Sequence, residues 1–361
     1  MAATHAKGIV SGKAGERCVL AAVCDTNAER LDWAKKELAA DLQCFTSAEE
    51  LMKSKAVDAI LVATPHFFHP TLAIQGFEQG LHVLIEKPAG VHTKHVREMN
   101  AAAKKSGKVF AIMFQQRLRP FYKKLKDLID SSELGAIKRI QWTITDWYRS
   151  QSYYDSGSWR ATWAGEGGGV LLNQCPHQLD IWQWLFGLPE EVTAFCRFGR
   201  YHDIEVEDDV TAYMKYENVS ATFIASTGEA PGTNRLEIAC DMGKVVAEDG
   251  KLTFWRNRAG ERKFNAEYRG GFGQPECWKC EIPLQADSVS HDGIIKNFAD
   301  AILDGKELVA PGQEGLNSLM LSNAMLLSEW KGNASVRLPF NDEEFYKLIQ
   351  QKIDNSTFRK K

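Results

Sequence analysis

The sequence predicts an α/β protein in two parts: a doubly wound parallel sheet, followed by an α+β part with a mostly antiparallel open sheet. Short apolar strands alternate with amphipathic helices in the first third of the chain. Longer stretches with a period of two follow, which is typical of antiparallel strands with one buried face. The 361 residues are too many for one ordinary core, so two domains are expected.

The first part reads as a regular succession of strands and helices. Thr46 and Glu49 form a predicted capping box at the start of a short helix, and Gly80 and Gly107 are predicted helix ends. The order is that of a Rossmann dinucleotide-binding domain, which we expect to span residues 1–119. Strands are predicted at residues 18–24, 59–63, 82–85 and 109–114, and further helices at 27–40, 70–79 and 93–105.

Residues 120–361 change in character and are expected to form a domain for substrate binding and oligomerisation. A sheet with one face left open suggests a partner subunit, so we expect a homodimer or homotetramer. Asn341 with Glu344 is predicted to cap the last helix. Strands are predicted at 137–147, 192–198, 210–216, 220–225 and 234–239, and helices at 121–129, 174–185, 293–303 and 314–330.

Composition excludes several classes of partner. Lys and Arg number 44 against 47 Asp and Glu, so the net charge of -3 offers no large basic field for nucleic acid. The apolar runs are too short to span a bilayer, so no membrane association is predicted. Among eight cysteines, the close pair Cys277 and Cys280 lacks a second pair at zinc spacing. Reduced cysteines in a cytoplasmic protein, without a metal site, are the interpretation we favour.

Asp25 follows the first apolar strand and predicts the choice of cofactor. An acidic residue at the end of the second strand of a Rossmann domain binds the adenosine ribose and repels the extra phosphate of NADP, so NAD is expected and NADP is disfavoured. The preceding strand and its glycine-rich loop should lie about 20 residues earlier. The chain instead begins at Met1 with what resembles the first turn of the following helix. We therefore expect that Met1 is an internal methionine of a longer protein.

Three motifs carry the chemistry, and each is weak alone. They occur in a fixed order: V-A-T-P at residues 62–65 with His69, E-K-P at residues 86–88, and G-G-G at residues 167–169 leading to Asn173, His177 and Asp180. The first two follow predicted parallel strands, where the ligand crevice of such a sheet lies. Asn173, His177 and Asp180 have the spacing of residues that share one face of a helix.

With the A-P-G-Q-E-G-L segment at residues 310–316, these motifs resemble the Gfo/Idh/MocA family of oxidoreductases along nearly the whole chain. The resemblance implies hydride transfer between NAD(H) and a hydroxyl or keto carbon of a sugar, cyclitol or sugar derivative. It assigns Lys87 to the reacting oxygen, where an ammonium supports negative charge. It assigns His177 as the general base, and Asp180 as a group that binds or orients a sugar hydroxyl.

The remaining site residues are expected from their positions after strands and from local composition. The expected cofactor contacts are Asp25, Thr64, Pro65, His69, Glu86, Lys87 and Gln116. Pro88 restricts the backbone of Lys87 and permits a cis bond. Tyr148, Trp159 and Arg160 belong to a dense aromatic and cationic set. That set is consistent either with a surface that binds the sugar or with packing in the core or at an interface.

Asn173 departs from the family pattern, because related polyol dehydrogenases usually carry Asp there. A neutral amide supports a nearby cation less strongly than a carboxylate, which affects the substrate and the pH optimum more than the reaction class. Two alternatives stay open. One is an NAD-dependent glycosidase of the same family, and the other is a catalytically impaired ligand-sensing homologue.

Overall fold

The structure is a computed structural model that describes residues 1–39, 41–285 and 290–360. The chain forms two compact units. The first contains the described residues of Met1–Leu118 and Ser288–Leu319, and the second those of Arg119–Asp287 and Met320–Lys361. Residues 293–303, which the sequence analysis placed in the second domain, therefore belong to the first unit. The predicted fold class, a Rossmann part and a part with a mostly antiparallel sheet, is confirmed.

The first unit is built from short parallel strands and the helices between them. Two strands form one sheet and three form another, in the orders β1-β2 and β3-β4-β5. All their pairings are parallel, so the carboxyl ends of the strands in each sheet lie at one edge. The elements are α1 (Ala2–Val10), β1 (Ala22–Cys24), α2 (Ala28–Glu37), β2 (Gln43–Phe45), α3 (Ala48–Lys53), β3 (Ala59–Val62), α4 (Phe68–Glu78), β4 (His82–Ile85), α5 (Thr93–Ser106) and β5 (Phe110–Ile112).

The second unit begins with a helix and continues mainly as strands. Burial alternates along them, so that Ile140, Trp142 and Ile144 are at most 2% exposed while their neighbours face outward. The elements are α6 (Pro120–Asp130), β6 (Ile137–Ile144), α7 (Gln151–Asp155), α8 (Pro176–Phe186), β7 (Glu191–Phe198), β8 (Glu207–Lys215), β9 (Ser220–Ser226), β10 (Asn234–Cys240), β11 (Gly243–Glu248), β12 (Lys251–Asn257), α9 (Glu261–Glu267) and β13 (Cys277–Ile282).

The chain then returns to the first unit through α10 (His291–Asp304) and a 3-10 turn at Gly312–Glu314. The Ile112 N–H donates to the carbonyl oxygen of Ala310 at 3.1 Å. Arg117, which is 1% exposed, pairs with Glu314 at 2.6 Å. These bonds pair a buried backbone N–H and a buried guanidinium beside β5, and such pairing offsets the cost of burying polar groups and favours the return.

The last elements are α11 (Gly315–Trp330), β14 (Val336–Arg337) and α12 (Asp342–Asp354). Strand β14 completes a nine-stranded sheet in the order β13-β12-β11-β10-β6-β9-β8-β7-β14. Its pairings are antiparallel except that of β6 with β9. Phe195, Tyr213 and Trp255 are 50%, 44% and 40% exposed on the outward side of their strands.

Local predictions differ from the structure in a few places. The strand predicted at residues 18–24 is regular only over Ala22–Cys24, and residue 40 of the helix predicted at 27–40 lies outside the described residues. The cap of α3 is Ser47 rather than Thr46, because the Ser47 side chain accepts the Glu50 N–H. In the same way Asn341 accepts the N–H of Glu343. None of the described helices has the length and apolarity needed to cross a membrane.

Candidate active site

Glu86 and Lys87 follow β4 at the carboxyl edge of the three-stranded sheet. Glu86 is 5% exposed, and its Oε1 lies 2.5 Å from His5 Nε2 while its Oε2 accepts the Lys87 N–H at 3.1 Å. Burial opposes ionisation of Glu86, but the hydrogen bond and charge of His5 and the charge of Lys87 outweigh it and lower its pKa to about 2. An ionised carboxylate thus fixes the backbone of half-buried Lys87. The Lys87–Pro88 bond is cis, an arrangement that the sequence permits.

His69 lies near the start of α4 and is fully buried. Its Nδ1 lies 2.7 Å from the carbonyl oxygen of Pro88, and its Nε2 lies 2.8 Å from that of Thr64. Both ring nitrogens of His69 therefore contact backbone carbonyl oxygens. Thr64 and Pro65, by contrast, are exposed after β3.

Asp25 and Gln116 follow β1 and β5 respectively. Asp25 Oδ1 accepts the Asn27 N–H at 2.9 Å, and its Oδ2 accepts from Arg30 at 3.2 Å. Gln116 is half-buried in a 3-10 turn at Gln115–Leu118. A carboxylate, an exposed threonine hydroxyl, a lysine and an amide thus follow strands of parallel sheets, and this donor and acceptor set fits a dinucleotide.

His177 and Asp180 belong to the first turns of α8 in the second unit. They are three residues apart, so they share one face of the helix. Both are buried, at 8% and 1% exposure, and Asp180 Oδ1 accepts from the Gln183 amide at 3.0 Å. Asn173 lies in the turn before α8 rather than on the helix, because α8 begins only at Pro176.

The glycine run before Asn173 is held by Glu207, a residue that the sequence analysis missed. Glu207 Oε1 accepts the N–H groups of Gly169 and Leu171 at 2.9 and 3.0 Å. A Cβ at Gly169 would lie 1.9 Å from the Glu207 carbonyl oxygen, so only glycine fits there. Burial raises the pKa of Glu207 to about 7. Its surroundings in sequence, E-V-E-D-D, gave no sign of burial.

Glu166 is a second carboxylate that sequence reasoning missed, and it contacts Asn173. It is 1% exposed; its Oε2 accepts the Ala161 N–H at 2.7 Å, and its Oε1 accepts from the Asn173 amide. The same amide nitrogen lies 3.4 Å from the Tyr153 hydroxyl. A carboxylate is therefore present one hydrogen bond away from the neutral side chain of Asn173.

Of the predicted aromatic and cationic set, Tyr148, Trp159 and Arg160, it is Arg160 that is linked to Asn173 by hydrogen bonds. Arg160 donates to the Tyr153 hydroxyl at 2.7 Å, and its guanidinium carbon lies 4.8 Å from the centre of the Trp159 ring. Tyr153 thereby links Arg160 to Asn173. Tyr148 is 51% exposed and Trp159 is 36% exposed, so both offer aromatic surface to solvent.

Comparison with known families supports both units. Residues 1–114 match the family model described as an oxidoreductase family with an NAD-binding Rossmann fold. Residues 122–246 match the model of the GFO/IDH/MocA C-terminal domain. The two matches together cover most of the chain.

Individual proteins are similar over part or all of the chain. A 1-carboxy-3-chloro-3,4-dihydroxycyclohexa-1,5-diene dehydrogenase from Comamonas testosteroni is 31% identical over 189 residues, 50% of this chain and 45% of that protein. The NADP(+)-dependent scyllo-inositol 2-dehydrogenase IolU of Bacillus subtilis is 28% identical over 63% of this chain and 68% of its own length. The matches thus span about half to two thirds of these relatives.

Among solved structures, the WlbA dehydrogenase from Chromobacterium violaceum, in complex with NADH and UDP-GlcNAcA, is 26% identical. The match has a TM-score of 0.80 and covers 94% of this chain and 93% of that one.

Proposed function

Because the chain belongs to the GFO/IDH/MocA family of oxidoreductases, we propose that it transfers a hydride between a nicotinamide dinucleotide and a hydroxyl or keto carbon of a sugar, cyclitol or sugar derivative. One observation carries the proposal. A buried, ionised Glu86 fixes the backbone of Lys87 directly after a strand of the Rossmann sheet. The ligand crevice of such sheets lies at this edge.

The proposed chemistry divides between two residues. His177 takes the proton from the substrate hydroxyl, a task that suits an imidazole because its reference pKa lies near neutral pH. The Lys87 ammonium donates to the substrate oxygen and supports the negative charge that develops there. Asp180 and Asn173 bind further hydroxyls and set the orientation of the substrate. When bound, the nicotinamide ring supplies the hydride acceptor.

We propose NAD as the cofactor in preference to NADP. The support is Asp25, whose carboxylate follows β1 and would repel a 2′-phosphate. The exposed Thr64 and Pro65 and the half-buried Gln116 are the proposed contacts to the rest of the dinucleotide. Relatives that use NADP(+) or bind NADH both occur, so the choice rests on Asp25.

We further propose a cytoplasmic homodimer or homotetramer assembled through the open face of the nine-stranded sheet. The exposed Phe195, Tyr213 and Trp255 support it, because aromatic side chains are enriched at interfaces. Tyr213→Glu should shift sedimentation towards the monomer. An unchanged sedimentation coefficient in Tyr213→Glu and Phe195→Glu would contradict this interface. The cytoplasmic location is proposed because all eight cysteines are free, and free cysteines are usual in a reducing compartment.

The central experiment screens sugars and polyols for NADH formation by the full chain. Lys87→Met and His177→Ala should each lower kcat by about 100-fold or more while NADH binding, followed by fluorescence, is retained. Lys123→Met, at an exposed position on α6, is the matched control and should turn over normally. Full activity in both site variants would remove the two residues from the chemistry.

A further inference from the structure

Two arginines pack on one tyrosine in the second unit. The guanidinium carbon of Arg149 lies 5.0 Å from the centre of the Tyr153 ring, and that of Arg160 lies 4.4 Å from it. The two guanidinium carbons are therefore no more than about 9.4 Å apart. Planar guanidinium groups stacked on an aromatic ring keep their N–H edges available for further partners.

The charges of these arginines are poorly balanced by the described residues. Arg149 donates to the carbonyl oxygen of Tyr148 at 2.9 Å and makes no ion pair within the described part of the chain. The nearest carboxylate to Arg160 is Glu166, at 4.0 Å, which also accepts from Ala161 and Asn173. The Nε atoms of Arg149 and Arg160 are buried without a hydrogen-bond partner in the described structure.

A third cation lies nearby. Lys360 Nζ lies 2.5 Å from the carbonyl oxygen of Tyr154 and also contacts that of Gly157. Burial lowers the pKa of Lys360, and the charge of Arg160 lowers it further, while the charge of Asp155 acts to raise it. Three basic side chains, with Asp155 and Glu166 also in range, therefore lie around the loop that carries Arg160.

This cluster adjoins a residue of the proposed active site. The Tyr153 hydroxyl accepts from Arg160 at 2.7 Å and lies 3.4 Å from the amide nitrogen of Asn173. A ligand that contacts Asn173 would thus have Tyr153 and Arg160 beside it, and Arg149 packs on the same tyrosine ring. Guanidinium groups bind carboxylate and phosphate oxygens through paired, charge-assisted hydrogen bonds.

We infer that Arg149 and Arg160 bind an oxyanion of the substrate, so that the substrate is an acidic sugar or cyclitol derivative bearing a carboxylate or a phosphate. This inference rests on the proposed function and narrows it. It separates this chain from an enzyme for neutral polyols, because hydroxyl groups alone do not require guanidinium partners. The two anions share the same recognition chemistry, and the experiment distinguishes them.

The test compares three probes that differ only at C6: glucose, glucuronate and glucose 6-phosphate. Each is titrated calorimetrically into the full chain saturated with NADH, and each is assayed for turnover with NAD. We expect one acidic probe to bind at least about tenfold more tightly than glucose. The anion of that probe, carboxylate or phosphate, identifies the anion of the substrate. Arg160→Gln and Arg149→Gln should each reduce this preference about tenfold.

Arg262→Gln, at an exposed arginine on α9, is the matched control and should retain the preference. Equal binding of glucose and both acidic probes, or a preference that survives both substitutions, would overturn the inference. Absence of turnover with every substrate would count against the proposed function instead, and the calorimetric preference would still decide the anion site.

Discussion

The Nδ1 atom of His69 lies 2.7 Å from the carbonyl oxygen of Pro88, while the opposite ring nitrogen lies 2.8 Å from that of Thr64. His69 thereby joins the segment after β3 to the segment that follows Lys87. A neutral ring carries a single N–H and can donate to only one of the two oxygens. Burial holds the pKa of His69 below its usual value, although the two carbonyls act to raise it.

His69→Gln should lower kcat about tenfold with little change in KM for the cofactor, because it loosens the segment that positions Lys87. His82→Gln is the control. His82 also bonds the backbone, accepting the Val109 N–H at 2.9 Å, but it opens β4 instead of following it. Equal loss of kcat in both variants would indicate a general structural effect.

Exchanging the charge between positions 166 and 173 tests whether Glu166 supplies the negative charge that Asn173 lacks. Asn173→Asp alone places two carboxylates in contact, and Glu166→Gln alone removes the charge. Each single variant should lose about tenfold or more in kcat/KM. The double variant restores one carboxylate and one amide, and should recover most of that loss. Additive losses across the cycle would show that the two side chains act independently.

Glu207 predicts a pH dependence of stability. Its pKa is about 7 in the folded chain against 4.5 for the free group, so the folded state binds the proton more tightly. Its contribution is complete below pH 4.5 and is lost as the pH rises through about 7. Relative to Glu207→Gln, the wild type should lose about 3 kcal/mol of unfolding free energy across this range. Urea unfolding of both proteins at several pH values measures this loss. Parallel profiles of unfolding free energy against pH would refute the prediction.

Gly169→Ala should destabilise the fold by more than about 2 kcal/mol, since the added Cβ would lie 1.9 Å from the Glu207 carbonyl oxygen. Gly271→Ala is the control, because nothing lies within 4 Å of a Cβ there, and its effect should stay within about 0.5 kcal/mol. The measurement is the midpoint of urea unfolding. Similar midpoints for the two variants would mean that the turn relaxes around the methyl group.

Asp25→Ser should shift the cofactor preference towards NADP+ by at least about tenfold in kcat/KM. The substitution removes the repelling carboxylate and frees Arg30, now 3.2 Å from Asp25, to bind the 2′-phosphate. Asp32→Ser, at an exposed position on α2, should leave the preference unchanged. An unaltered NAD+ to NADP+ ratio in Asp25→Ser would exclude Asp25 from cofactor choice.

Local patterns in the sequence predicted those structural features that are set by residues close together in the chain. The alternation of apolar and polar residues predicted β6 to β10, and the E-K-P motif was correctly placed after β4. The roles of Glu207 and Glu166 were not predicted, because a glutamate that bonds Gly169 from 38 residues away looks in sequence like any surface glutamate. Likewise Thr46 and Ser47 are equally suitable helix caps by residue type, and the backbone conformation determines that Ser47 is the cap.

The return of α10 and the turn at Gly312–Glu314 to the first unit has a consequence for biosynthesis. The Ile112 amide bonds Ala310, and the Arg117 guanidinium pairs with Glu314, only when these two residues have left the ribosome. The strands of this unit are translated first, yet its hydrogen bonding is completed almost last. We therefore expect nascent chains that stop before His291 to stay open to proteases and chaperones beside β5.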